Sequence, residues 1–364
     1  MNITRLKLNN YRNIGQLELK LNRQNIILAP NGTGKTNLLE AVFVLALGRS
    51  YRARRDRNII GPINNVARVE ADIFRNKNDL SLALAQNGDQ KIAFINDKKT
   101  ILSEYVGTLK VVLFAPEDMD LVMASPAKRR RSLDILLTQT DTGYAKLLLQ
   151  YNHILKARNN LLQGISAGRN HGDELKFWNE EIIRYGQAIL EARLKIVDEI
   201  NREIGPVFNL FLSGRQNGWR GIKDGVKMKY LATVDDTQKY ADALAHSFHS
   251  DLKYGQTQIG PHRDDWEMHL GSINLRDGAS RGEIRMALLA LVAAEVNIIH
   301  QTHQQWPVLL LDDVFAELDR HHSDELISFW PKAQVIITAT DAEYIPKKLL
   351  ENASINKLED VING

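Results

Sequence analysis

The segment that most restricts the fold is Ala29-Pro30-Asn31-Gly32-Thr33-Gly34-Lys35-Thr36. It follows a short apolar run, Asn25–Leu28, and opens a segment of helical apolar spacing that continues to Leu47. Strand, glycine-rich loop and helix in that order form the context that a Walker A phosphate loop requires. Gly32 and Gly34 let the backbone turn its N–H groups inward, making an anion nest at a helix N-terminus where the helix dipole adds positive potential. Lys35 supplies a point charge for the β and γ phosphates of ATP, and the Thr36 hydroxyl supplies a ligand for Mg²⁺. A glycine-rich turn with an incidental Lys-Thr is the plainer reading, and the strand and helix flanks weigh against it. The full motif begins with Gly where this chain has Ala29. One added methyl at a strand end is tolerable unless the residue must adopt positive φ.

Trp306-Pro307-Val308-Leu309-Leu310-Leu311-Asp312-Asp313 reads as a buried strand ending in two acids. Adjacent carboxylates are costly to bury unless they meet a cation or protons. Asp312 would enter the Mg²⁺ shell as a Walker B residue, and Asp313 would orient or deprotonate the attacking water. A solvated strand end is the alternative, and the phosphate loop in the same chain disfavours it. Before this strand lies Ala279-Ser280-Arg281-Gly282-Glu283, at the head of a long helix. Ser280 with Glu283 three residues on fits a capping box; serine, glycine and free N–H groups at a helix start also suit a second phosphate contact. The two roles are compatible.

At 364 residues the chain exceeds the roughly 250 to 300 residues at which single cores stop growing, so a nucleotide-binding core and an accessory lobe are expected. The first third is β-rich: Ile3–Leu8, Gln16–Leu21, Val66–Phe74, Leu80–Ala85 and Lys91–Ile95 alternate, and Asn87-Gly88 reads as a hairpin turn. Val111–Phe114 is a buried strand by its composition. From Pro126 to Ile204 the period becomes helical, with Pro126 following Ser125 as Pro at N1 follows an N-cap. The absence of sustained heptads argues for a compact helical lobe and against a long coiled-coil arm. Strands resume at Val226–Tyr230 and Trp266–Leu275, and Val308–Leu311, Gln334–Ala339 and Ser354–Val361 complete a central sheet. The core is therefore split, 1–115 and 255–364, around an inserted lobe at 116–254.

The order Asn-Gly-x-Gly-Lys-Thr, Ala-Ser-x-Gly-Glu, Leu-Asp-Asp-Val-Phe-Ala-Glu-Leu-Asp resembles the ABC-type heads of the SMC and DNA-repair ATPases. The closer resemblance is to the RecF family of bacterial recombination mediators. It is carried by Tyr11-Arg12-Asn13, Gly48-Arg49-Ser50-Tyr51-Arg52, Pro116-Glu117-Asp118, Pro126 with Arg129-Arg130, and Gly260-Pro261-His262-Arg263-Asp264-Asp265. The resemblance implies an α/β ABC-type head, with a mixed β-sheet and a P-loop helix, and an inserted helical domain. It implies an ATP-dependent homodimer in which Ser280 and Gly282 of one chain contact the γ-phosphate held by Lys35 of the other. Asp319, matching the D-loop, would lie at that seam, and Arg12 would serve the nucleotide. Slow, DNA-stimulated ATP hydrolysis, double-stranded DNA or single-strand/double-strand junctions as targets, and RecR with RecO as partners at gaps follow from the same resemblance. So does a cytoplasmic, nucleoid-associated location. The chain departs from the ABC pattern in having no Gln at Ala115-Pro116-Glu117 and no His after Ile336-Ile337-Thr338-Ala339-Thr340.

Net charge is +3, which permits an anionic partner without demanding one, so the placement of charge matters more than its sum. Arg49, Arg52, Arg54, Arg55 and Arg57 crowd one short segment, and Lys128-Arg129-Arg130-Arg131 forms a second run. Such clusters bind phosphate backbones; two solvated charged faces are the plain alternative. With no base-reading motif, Arg52, Arg54, Arg55, Lys128, Arg129 and Arg130 would bind DNA through backbone and shape. His262 reads as a buried hydrogen-bond brace ahead of a ligand. His246 and His249 lack further ligand candidates nearby. The chain contains no cysteine, which excludes disulfides and thiolate zinc sites. The most apolar stretch, Met286–Ile299, is interrupted by Glu295 and falls short of the roughly 20 apolar residues that a bilayer demands, and a soluble chain is expected. A nucleotide-gated scaffold without functional hydrolysis, and an ABC-type ATPase serving a protein partner, are the competing functional readings.

Overall fold

The computed structural model describes residues 1–53, 55–75, 78–169, 172–212, 225–316, 323 and 332–358. The chain forms two compact units, one of Met1–Met119, Val207–Trp219 and Arg285–Gly364, the other of Asp120–Pro206 and Arg220–Ile284. Among the described residues no helix is long and apolar enough to cross a membrane.

The first unit holds two sheets. One is antiparallel, in the order β2-β1-β4-β5-β6-β7, from β1 (Asn2–Tyr11), β2 (Ile14–Lys20), β4 (Val66–Arg75), β5 (Asn78–Asn87), β6 (Gln90–Ile95) and β7 (Lys98–Thr100). In β4 the side chains of Ala67, Val69, Ala71 and Ile73 are buried and their neighbours are more open, the period of two expected of a strand with one covered face. The β5–β6 turn sits one residue later than the sequence suggests: Asn87 pairs with Gln90, so Gly88 and Asp89 form the two-residue loop, and Gly88 takes the positive φ of 54°.

The second sheet is wholly parallel, ordered β14-β3-β13-β12-β8, from β3 (Gln24–Leu28), β8 (Val111–Phe114), β12 (Val308–Asp312), β13 (Val335–Ala339) and β14 (Ser354–Lys357). All five residues of β12 are buried, which is why its sequence is a continuous apolar run and does not alternate. The expected mixture of strand directions is thus divided between two sheets. Helix α1 (Lys35–Leu47) is buried at every position from Leu38 to Leu47, as a helix apolar on all sides must be. A short helix, α2 (Leu102–Tyr105), precedes β8.

Gln334 is fully buried and substitutes for backbone between the two sheets. Its Oε1 accepts from Ile3 N at 2.6 Å, and its Nε2 donates to Ile3 O and Asn22 O at 2.7 Å each. Gln334→Leu would strand the buried N–H and carbonyl of Ile3, each costing about 1 to 3 kcal/mol, while Asn22 O keeps the Asn25 amide as its donor. We expect a loss of about 3 kcal/mol or more in denaturant unfolding, against under 1 kcal/mol for an exposed Gln.

The second unit comprises α3 (Pro126–Thr140), α4 (Tyr144–Ser166), α5 (Leu175–Leu212, whose last residues from Val207 count with the first unit) and α6 (Tyr240–Tyr254). It also holds a three-stranded sheet ordered β11-β10-β9: β9 (Val226–Leu231), β10 (Asp265–Leu270) and β11 (Ile273–Asn274). Helix α7 (Leu275–Gly278) follows β11, and α8 (Arg281–His303) begins in this unit. The sequence places the return to the core at 255, whereas the structure places it at 285. The reason is pairing: β10 runs antiparallel to β9 over six residues, which keeps 265–270 with the accessory lobe and makes that lobe more than helical. The single strand expected over Trp266–Leu275 breaks at Gly271, whose φ is 59°.

Candidate functional site

In the first unit the carboxyl ends of β3, β13 and β12 lie side by side and carry the site. Ala29 continues β3, its N–H donating to Ala339 O at 3.2 Å; it is buried and does not have positive φ, so its methyl is accommodated. Gly32 and Gly34 have φ of 83° and 112°. A Cβ on Gly34 would lie 2.9 Å from Asn13 Oδ1, the end of an exposed side chain that can shift, so it is the φ of this position that requires glycine. Thr33 Oγ1 donates to Pro30 O at 2.8 Å and Asn13 Nδ2 to Thr33 O at 3.2 Å, which fixes the loop from inside and from its flank. Pro30, Asn31 and Gly32 are exposed, and Thr36 is partly so at the first turn of α1.

Lys35 is buried, with its ammonium 3.3 Å from Asn31 Oδ1 and 3.3 Å from Asp313 Oδ2. The register pairs Asp312 with Thr338, and Thr338 Oγ1 donates to Asp312 Oδ1 at 2.5 Å. Asp313 N donates to Thr338 O at 3.2 Å and to Thr338 Oγ1 at 3.1 Å. Asp313 itself has φ of 47°, a conformation uncommon outside Gly, Asn and Asp, and that turn directs its side chain to Lys35. Asp313 Oδ1 is buried with no hydrogen-bond partner among the described residues. An anion nest, a buried ammonium, a threonine hydroxyl and two carboxylates, one with an unsatisfied oxygen, fit a nucleoside triphosphate with a divalent cation. Thr338 is the member that the sequence does not reveal.

Beside the loop, Arg12 binds Glu40 of α1 bidentately, Nε to Oε2 at 2.9 Å and Nη2 to Oε1 at 2.7 Å. This bond raises the guanidinium pKa above its ordinary value. Glu40 is fully buried, and Ser50 Oγ donates to it while accepting from Arg52 N at 2.9 Å and Ala53 N at 2.7 Å. Arg52 Nη1 is 3.4 Å from Asn37 Oδ1. The nucleotide loop and the start of the first arginine cluster are therefore built on one buried carboxylate. Arg49, Arg52, Arg55 and Arg57 are exposed; Arg54 and Asp319 lie outside the described residues.

In the second unit the other basic run is only partly a surface. Lys128 is exposed, but Arg129 is 1 % exposed and binds Asp265 through Nε at 2.7 Å and Nη2 at 2.6 Å. Its remaining donor, Nη1, reaches the carbonyls of Val122 and Ala124. Arg130 is half-buried and donates to Asp264 O at 2.6 Å. Arg129 is thus corrected from a DNA contact to an internal brace, because all of its nitrogens already have protein acceptors. Arg130 leans the same way. Ser280 and Gly282 are exposed. Ser280 N donates to Glu283 Oε2 at 2.6 Å and Glu283 N to Ser280 Oγ at 3.3 Å, a reciprocal capping box.

The Gly260–Asp265 segment is the brace that its composition suggests. His262 Nε2 faces Thr257 O at 3.0 Å and Nδ1 faces Tyr151 Oη at 2.6 Å. A carbonyl only accepts, so Nε2 carries the proton and Nδ1 accepts from the tyrosine. Burial depresses the His262 pKa to about 4. With the folded value below the unfolded one of about 6.5, the unfolded chain takes the extra proton. The resulting stability, about 3 kcal/mol, is present above pH 6.5 or so and is lost as pH falls toward 4. Urea titrations at about pH 7.5 and pH 4.5 should show a smaller acid loss for His262→Gln than for the wild type.

The RecF/RecN/SMC N terminal domain family matches residues 2–361. The DNA replication and repair protein RecF of Clostridium perfringens strain 13 is 32% identical over 372 residues, covering 100% of this chain and 99% of that one. The chain belongs to the RecF family. Its namesake from Bacillus mycoides strain KBAB4 is 34% identical over 380 residues, with 100% and 98% covered. Among solved structures, the recombination mediator protein RecF with ATP, of the RecFOR pathway, superposes with a TM-score of 0.85 at 28% identity, covering 93% of this chain and 92% of that one. The Smc head domain of Pyrococcus furiosus, at 16% identity, covers 97% of this chain and 92% of its own with a TM-score of 0.51, which speaks to the fold alone. The fold is that of an ABC-type ATPase head with an inserted second domain, as expected.

Proposed function

We propose that this chain is a DNA-binding ATPase of recombinational repair and replication-fork maintenance, which pairs with a second copy on ATP and separates after slow hydrolysis. The observation that carries the reading is the convergence of Lys35, Asp312, Asp313 and Thr338 at adjacent strand ends, within a family whose relatives include an ATP-bound mediator. Lys35 and the loop N–H groups of Gly32–Thr36 bind the triphosphate. Thr36 and Asp312 would hold Mg²⁺, which would supply positive charge to offset that of the triphosphate. Thr338 orients Asp312 through its hydroxyl. Asp313 positions the attacking water and takes its proton, with the unsatisfied Oδ1 as acceptor. Arg12, held by Glu40, lies on the flank of the loop and serves the nucleotide. Ser280 and Gly282, exposed at the head of α8, meet the nucleotide of the second copy, with Asp319 at the seam. ATP then acts as the differential ligand that favours the paired state.

Duplex DNA and single-strand/double-strand junctions are the substrates, and RecR with RecO the partners that this assignment carries over from the RecFOR pathway. Arg52 and Arg55, with Arg54 and Lys128, supply the phosphate contacts. Charge reversal at Arg52 and Arg55 together should weaken duplex binding and flatten the slope of log affinity against log salt by about 2. An unchanged slope removes these residues from the footprint. The decisive measurement for the whole reading is light-scattering mass with and without ATP and duplex DNA. A doubled mass on adding ATP, gaining further with DNA, is expected; a monomer under all conditions refutes it.

A further inference from the structure

The buried arginine at the head of α3 and the exposed serine at the head of α8 are linked through one strand. Asp265, the first residue of β10, accepts both bonds of the Arg129 guanidinium and lies 4.0 Å from Arg276 Nη2 on α7. Next to it, Trp266 Nε1 donates to Arg129 O at 2.6 Å and Trp266 is fully buried, so strand and helix head are fixed twice. On the same side of β10, Glu267 Oε2 accepts from Asn274 Nδ2 at 3.0 Å, and Asn274 Oδ1 caps α7 by accepting from Arg276 N at 2.9 Å. Leu275 anchors the turn with no exposure. Helix α7 ends at Gly278, and Ser280 follows. We infer that Asp265, with Arg129 and Arg276 as its two cations, is a positioning residue that sets the placement of the Ala279–Glu283 turn for its contact with a second chain's nucleotide. The inference rests on the reading that Ser280 and Gly282 act in trans.

The geometry explains why Arg129 is present without facing a ligand. A bidentate arginine–carboxylate pair fixes direction as well as distance, and its near-burial removes the solvent competition that makes exposed pairs weak. An ammonium would not reproduce it. The pair therefore defines where β10 starts, and the short β10–β11–α7 segment carries that definition to Ser280.

The test uses the full chain with ATP and Mg²⁺. Asp265→Asn should weaken ATP-dependent self-association at least about tenfold, and Arg276→Gln about threefold, in light-scattering titrations. ATP affinity of the single chain, by fluorescent-nucleotide titration at dilution, should stay within about twofold. Amide hydrogen exchange in Asp265→Asn should quicken at 275–284 and stay unchanged in α4 and α6. Self-association equal to wild type in Asp265→Asn, while Ser280→Arg abolishes it, overturns the inference and leaves the dimer reading standing. Exchange that quickens throughout α3–α6 also overturns it, since the pair would then support the whole unit. Self-association that survives Ser280→Arg refutes the trans reading itself, and the inference with it.

Discussion

Asp313→Asn should reduce ATP turnover by at least about a hundredfold, the lower end of what general-base removal costs, while ATP still binds and the paired state lives longer. The geometry separates these effects. Asp313 Oδ2 lies 3.3 Å from the Lys35 ammonium, so in the native chain the carboxylate competes with phosphate for that cation. Asparagine removes the competing charge and its repulsion of the γ-phosphate, so affinity should hold or rise. It also loses the basicity needed to take a proton from water. Backbone strain does not intervene, since asparagine tolerates the left-handed conformation that this position adopts at φ 47°; alanine would confound the result. Single-turnover hydrolysis with dimer lifetime read by light scattering decides the matter. Turnover within tenfold of wild type would remove Asp313 from the chemistry. Equal dimer lifetimes would support a scaffold on which hydrolysis is incidental.

The P-loop and the two acids are legible in the sequence because each is a local pattern: glycines, lysine and threonine within eight residues, and acids closing an apolar run. Thr338 carries no such signal. Its role depends on β13 lying between β3 and β12 and on a register that places it opposite Asp312, a pairing 26 residues away in the chain. Glu40 is hidden for the same reason: within an apolar helix one acid looks like a surface position, and only the fold shows Arg12 and Ser50 closing over it. The basic runs demonstrate the converse error. Arg129 reads as surface charge until β10 brings Asp265 to it from 136 residues downstream. Helix α6 is faint for a different reason. Its buried positions include Asp251, which pairs with Arg158 in a fully buried ion pair at 2.8 Å beside the apolar stripe of Tyr240, Leu244, Phe248 and Leu252, so one of its core positions reads as surface charge.

Lys35→Met should abolish ATP binding and, with it, self-association. Methionine keeps the length and apolar stem of the side chain and leaves the φ of Gly32 and Gly34 untouched, so the loop survives while its charge does not. The loss is compounded by Asp313. Deprived of its cation at 3.3 Å, that carboxylate becomes an unpaired negative charge facing the phosphates, and affinity should fall by more than the about hundredfold expected for one charge-assisted contact. The fold itself should persist, because the Asp313 side chain keeps 26% exposure and remains partly solvated. Thermal unfolding with and without ATP separates the two: ligand stabilisation follows the logarithm of concentration over Kd, so the wild type should gain several degrees at millimolar ATP and the variant none, from equal starting midpoints. A variant that binds no ATP yet still doubles its mass would show that pairing is not gated by nucleotide. Loss of both in parallel would make Lys35 the residue through which binding energy at one loop is converted into assembly of two chains.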